Sequence, residues 1–66
     1  MCLSTVFRLG QPDVPLAKNV ALVREQDGKV LLTDILGVTT ELRARIARVD
    51  LLENRILLQA DETAEP

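Results

Sequence analysis

A chain of 66 residues, with eight Lys and Arg against ten Asp and Glu, supplies one small domain whose core is marginal on its own, because so short a chain buries little surface. It has no His, Trp or Tyr, one Phe and one Cys, which removes the commonest general base, every Ser/His or Cys/His nucleophile pair and any internal disulfide. The spacing of its carboxylates and lysines marks no catalytic site either, so a non-enzymatic role is expected.

Cys2 to Leu9 alternates, with Leu3, Thr5, Phe7 and Leu9 on one face of a strand and Cys2, Ser4, Val6 and Arg8 on the other. The Leu/Phe face is expected inside, with Cys2 pointing away from it. Gly10 to Pro15 reads as a loop, since two prolines break a strand ladder. Leu16 to Glu25 and Lys29 to Ile35 are apolar runs joined by Asp27-Gly28, the signal of a two-residue type I′ hairpin whose central residues need positive φ. That turn sets Gln26 opposite Lys29, Val23 opposite Leu32, Leu22 opposite Thr33 and Ala21 opposite Asp34. Apolar residues lie on both faces of the hairpin, so both are expected to be covered, one by the rest of a small barrel and the other by a second subunit.

Thr40 to Ala60 supports two readings. Leu42, Ile46, Val49 and Ile56 recur at helical spacing, Thr40 could cap a helix, and Arg, Ala, Leu and Glu are good helix formers. As strands, Leu42, Ala44 and Ile46 alternate with Arg43, Arg45 and Ala47, Asp50 to Asn54 turns, and Arg55 to Gln59 closes the sheet. Periodicity alone favours the helix; the three preceding strands favour strands, because closing a sheet removes its bare edges. Leu3, Phe7, Val20, Leu22, Leu31, Ile46, Ile56 and Leu58 are the expected core.

Residues 1–60 form a single domain, and 61–66 read as an acidic, unfolded tail carrying Asp61, Glu62 and Glu65. Without that tail, eight basic residues face seven acidic ones, so net charge marks neither nucleic acid nor membrane as a partner. No apolar run approaches the roughly 18 residues of a membrane span, and the first residues lack the basic stretch of a secretory signal. A cytoplasmic location is expected.

Cys2 is the one side chain with distinctive reactivity. At a chain start its thiolate lies within chelating reach of the terminal amine and first amides, whether or not Met1 is removed. A planar nitrogen and sulfur set of this kind suits Ni(II) or Cu(II), whereas zinc prefers a tetrahedron. One chain offers too few donors, but a two-fold dimer brings two copies of Cys2 to its axis. The residues by themselves leave open a small cysteine with no role.

Met1-Cys2-Leu3-Ser4 before a Val/Phe strand, then Val20-Ala21-Leu22-Val23, the run from Asp27-Gly28-Lys29 through Leu32-Thr33-Asp34 to Gly37, and a basic and apolar stretch ending in Asp50-Leu51 together resemble the CooT family, over about residues 1–60. That resemblance implies an all-β fold, a small Sm-like or SH3-like antiparallel β-barrel, and a homodimer. It further implies Ni(II) bound by the Cys2 pair at the dimer interface, one ion per dimer, and a metallochaperone-like part in nickel insertion into carbon monoxide dehydrogenase. The nickel enzyme and other maturation proteins are the implied partners. It also decides Thr40 to Ala60 in favour of strands.

Arg43, Arg45 and Arg48 support a rival reading, an Sm-like RNA-binding module, since Arg43 and Arg45 share a face if this stretch is a strand. Single-stranded RNA usually demands aromatic platforms for its bases, and Phe7 alone is a poor one. The plainer expectation is a solvated basic face balanced by Glu41, Asp50 and Glu53.

Overall fold

Asp27 and Gly28 hold φ values of 54° and 76°, as a type I′ turn requires. The flanking strands pair in the register that follows, with Gln26 opposite Lys29, Val23 opposite Leu32 and Leu22 opposite Thr33. One pairing differs: a bulge at Ala21 sets Val20 opposite Asp34. Asn19, at φ 56°, lies beside the bulge, and its carbonyl accepts the N–H of Ile35 at 3.0 Å.

The structure is a computed structural model that describes residues 3–60; Met1, Cys2 and the 61–66 tail lie outside the described residues. Six strands make up the fold: β1 (Ser4–Arg8), β2 (Gln11–Gln26), β3 (Lys29–Asp34), β4 (Thr39–Leu42), β5 (Ala44–Asp50) and β6 (Arg55–Ala60). They form one sheet in the order β4-β3-β2-β1-β6-β5. No helix of the described residues is long and apolar enough to cross a membrane. Although β4 and β5 are opposite edges of the sheet, a bend at Arg43 is all that separates them in the chain. Only a strongly curled sheet permits that, and β5 accordingly approaches β3 across the opening of a half-barrel. There the Glu25 carboxylate accepts the Ile46 N–H at 2.9 Å, satisfying a donor that an edge strand would otherwise leave to water.

This bend also corrects the expectation of a purely antiparallel barrel, because β1 and β6 run parallel. The chain reverses between β1 and β2, β2 and β3, β3 and β4, and β5 and β6. From β4 to β5 it bends across the barrel without forming a hairpin. An even number of reversals returns the last strand in the direction of the first.

Gly10 to Pro15 is not the expected loop. The turn is confined to Leu9 and Gly10, and β2 begins at Gln11. Pairing with β3 starts only at Val20, so the first half of β2 has a vacant side, where a missing proline N–H breaks no ladder. Register shifts against β1 across Val6, Phe7 and Arg8 accommodate the remaining irregularity.

The buried core consists of Val6, Val20, Val30, Leu32, Ala44, Ile56 and Leu58, with Leu16, Ala17, Val23, Leu42 and Ile46 packed against it. Val20, Ile56 and Leu58 were expected there. On β1 the faces are the reverse of expectation, with Val6 fully buried and Leu3 and Phe7 only half-buried. Leu31 likewise yields to Val30 and Leu32, and Leu22 is 50% exposed. A period of two says which residues share a face, not which face is inside.

Both long loops are held by an aspartate at their first turn. Asp34 Oδ1 accepts the N–H groups of Leu36 and Val38, each at 2.9 Å, and Asp50 Oδ1 accepts those of Leu52 and Glu53 at 3.0 and 3.1 Å. Such side-chain turns satisfy the loop backbone locally, leaving the loop side chains free to face outward.

Candidate functional site

Cys2, the expected metal ligand, lies outside the described residues; what surrounds the first described positions bears on it. β1 is an inner strand of the sheet, between β2 and β6. Ser4 is opposite Val20, itself opposite Asp34, and Thr5 donates its N–H to the Asn54 carbonyl at 2.9 Å. From Ser4 onward the chain is therefore a seated strand. Because β6 is parallel to β1, the β5–β6 loop that precedes it ends beside the first residues of β1.

That loop exposes its apolar side chains, Leu51 at 78% and Leu52 at 95%. The β3–β4 loop, which begins where Asp34 meets Val20, also exposes Ile35, Leu36 and Val38. An apolar loop tip costs free energy in water, roughly 25 cal/mol per Å² left uncovered, and clustered exposed apolar residues mark contact surfaces. The sequence reading passed over Asp50 to Asn54 as a turn; two leucines at the tip of an otherwise polar turn were the available signal. Among the described residues, no group of three or more His, Cys, Asp or Glu is brought together.

The three arginines of the rival reading do not act as one set. Arg43 stands on the β4–β5 bend, Arg45 opposite Gln59 and Arg48 opposite Leu57. A bulge between Ile46 and Arg48 rotates Arg48 onto the outward face with Arg45, while the bend turns Arg43 toward a cleft with Arg8. Of the three acidic groups expected to balance them, two are otherwise engaged: Glu41 pairs with Lys29 at 2.8 Å, and Asp50 caps its own loop. Lys29 holds the Glu41 carboxyl below the usual carboxylate range, by hydrogen bond first and by charge second.

Arg55, missed in the sequence, lies with its guanidinium 4.6 Å from the centre of the Phe7 ring and donates from Nη2 to the Pro12 carbonyl at 3.1 Å. The chain's one aromatic face is thereby covered by a cation, a contact favourable in itself that removes the stacking platform RNA would use. The pairing of β1 with β6 was what sequence spacing could not supply.

Comparison with known proteins agrees with this architecture. The model of the family described as CO dehydrogenase accessory protein CooT matches residues 1–59. The crystal structure of a candidate CooT from Carboxydothermus hydrogenoformans superposes with a TM-score of 0.76 at 26% sequence identity, over 91% of this chain and 98% of that one. No curated protein matches the chain.

Proposed function

Because this chain belongs to the CooT family of CO dehydrogenase accessory proteins, we propose that it is a homodimeric nickel carrier, binding one Ni(II) per dimer through the Cys2 thiolates of its two copies. Its family is one of accessory proteins and not of catalysts. Nickel is cargo for the enzyme it serves, and the remaining donors are terminal amine or backbone amide nitrogens beside Cys2. Thiolate and amide nitrogen favour a four-coordinate, planar ion.

The observation that supports this reading is the seating of β1 between β2 and β6. The exposed Leu51 and Leu52, on the loop whose Asn54 carbonyl accepts the Thr5 N–H, offer apolar area to a second copy. Two copies meeting there bring two identical thiolates to one axis, as an isologous contact requires. The outward Leu22, half exposed, belongs to the same expectation of an uncovered hairpin face. An Sm-like or SH3-like barrel is the matching fold description for the curled sheet.

Titration of the apo-protein with Ni(II), repeated on Cys2→Ser, tests the proposal. Saturation is expected at one nickel per two chains, with a diamagnetic spectrum and thiolate charge-transfer absorption, both lost in the variant. Ligation releases a thiol proton whose reference pKa is about 8.5, so affinity is expected to fall as pH drops below neutral. One nickel per monomer, or unchanged binding by Cys2→Ser, defeats the paired site. Preferential uptake of Cu(I), for which two thiolates suffice, replaces nickel as the cargo. Sedimentation of Leu51→Asp with Leu52→Asp is expected to give monomers that no longer bind the metal.

A further inference from the structure

At the other end of β1 from the chain start, a cleft of about 190 Å³ brings two arginines onto an apolar floor. Arg8, the last residue of β1, and Arg43, on the β4–β5 bend, line it together with Leu16, Leu42, Leu58 and Ala60. A second cleft also holds two arginines, Arg48 and Arg55, but Asp50 shares its wall. Among the described residues, no carboxylate lines the Arg8/Arg43 cleft. Among the described residues neither guanidinium forms an ion pair, and Glu41, two positions from Arg43, is taken by Lys29. The cleft is complementary to an acidic segment with little bulk.

The chain supplies one at the rim. Ala60, the last described residue, is part of the cleft wall, and the next six residues are Asp61-Glu62-Thr63-Ala64-Glu65-Pro66. Six extended residues reach about 20 Å, far more than the distance from a wall residue to the cleft it lines. We propose that this cleft is the docking site of the chain's own acidic segment, with Asp61 and Glu62 paired to Arg8 and Arg43. Exposed ion pairs are individually weak, but a tether this short keeps the carboxylates at an effective concentration in the millimolar range. Docking requires no regular structure in the segment. The family match ends at residue 59, so the docking segment lies beyond the matched residues. An acidic peptide from another protein has to displace the segment to enter.

The test compares the full chain with a full-length variant carrying Asp61→Asn, Glu62→Gln and Glu65→Gln, read by NMR at the arginine Nε–Hε groups. Arg8 and Arg43 are expected to shift between the two proteins, while Arg24 and Arg48 stay in place. Added salt is expected to move the Arg8 and Arg43 signals of the native chain toward those of the variant. Tenfold dilution is expected to leave the difference intact; its disappearance assigns the segment to another copy and overturns docking within one chain. A synthetic Asp-Glu-Thr-Ala-Glu-Pro peptide is expected to bind the variant several-fold more tightly than the native chain, whose cleft is occupied. Arg43→Gln in the native chain is expected to return the Asp61 and Glu62 amide signals to their salt-screened positions. Equal peptide binding, or Arg8 and Arg43 signals unmoved by neutralisation, overturns the proposal.

Discussion

The β2–β3 hairpin is held by its turn, whereas β4, β5 and β6 are held by the strands they lean on. In the hairpin, Asp27 and Gly28 at positive φ dictate the register as far as Leu22 and Thr33, and that influence stops at the bulge at Ala21. In Thr39 to Ala60 the one turn is the longer, Asp50-capped loop that sets Asp50 opposite Arg55, and the link at Arg43 is only a bend. The spacing of this region suits a helix as well as strands, and the choice falls to strands because β3 offers one edge to β4 and β1 offers the other to β6. Local chemistry thus decides as far as a turn reaches, and sheet edges decide the rest.

Excising the two regions gives the largest contrast. A peptide of residues 40–60 is expected to lose all strand structure and turn helical in a helix-promoting solvent, while a peptide of residues 19–36 retains a fraction of hairpin with contacts between Leu22 and Thr33. Circular dichroism and cross-strand NOEs read both; an isolated hairpin is marginal at best, so a partial population suffices. Strands in the 40–60 peptide alone would erase the distinction.

In the intact chain, Leu58→Ala removes a side chain that is 1% exposed on β6. The expected loss is roughly 2–5 kcal/mol, comparable with the whole stability of a small domain, about 5 kcal/mol. Leu22→Ala, on the outward face of the hairpin, is expected to cost under about 1 kcal/mol in the monomer. Chemical denaturation orders the two, and equal losses would show that β6 does not depend on the core.

Gly28→Val probes the hairpin's own device. No heavy atom lies within 4 Å of an added Cβ there, so the expected cost, about 1–2 kcal/mol, is the backbone strain of a side chain at positive φ. Gly10→Ala, equally uncrowded and without a positive φ, is the control and is expected to change little.

The smallest effect belongs to the Lys29–Glu41 pair that ties the hairpin to β4. Since Lys29 lowers the Glu41 pKa, the stabilisation is present above the unfolded carboxylate pKa and lost as pH falls through the folded one. Glu41→Gln is expected to lower Tm slightly at neutral pH and not at all in acid, and added salt is expected to shrink the difference because the pair is exposed.

Much of this was legible beforehand, and each lapse has an identifiable cause. The strand reading of Thr40 to Ala60 held because of its neighbours and the family resemblance, against its own periodicity. Two prolines argued for a loop that the vacant side of β2 made unnecessary. Cys2 drew attention by chemistry and position, while Leu51 and Leu52, exposed on the β5–β6 loop, carried no chemistry to notice. Alternation put Arg43 with Arg45 because it ignores the bend, and left Arg48 off their face because it ignores the bulge.

Residue order alone was enough for the hairpin turn, for the register up to Leu22 and for the absence of any imidazole chemistry. Each rests on interactions within a few residues or on composition. The assembled sheet decided which face of β1 lies inside, the parallel meeting of β1 with β6, and the separation of Arg43 from Arg45 and Arg48. Those depend on which distant strand becomes a neighbour. Side-chain alternation is symmetric between the two faces of a strand until a second strand and a core break the symmetry.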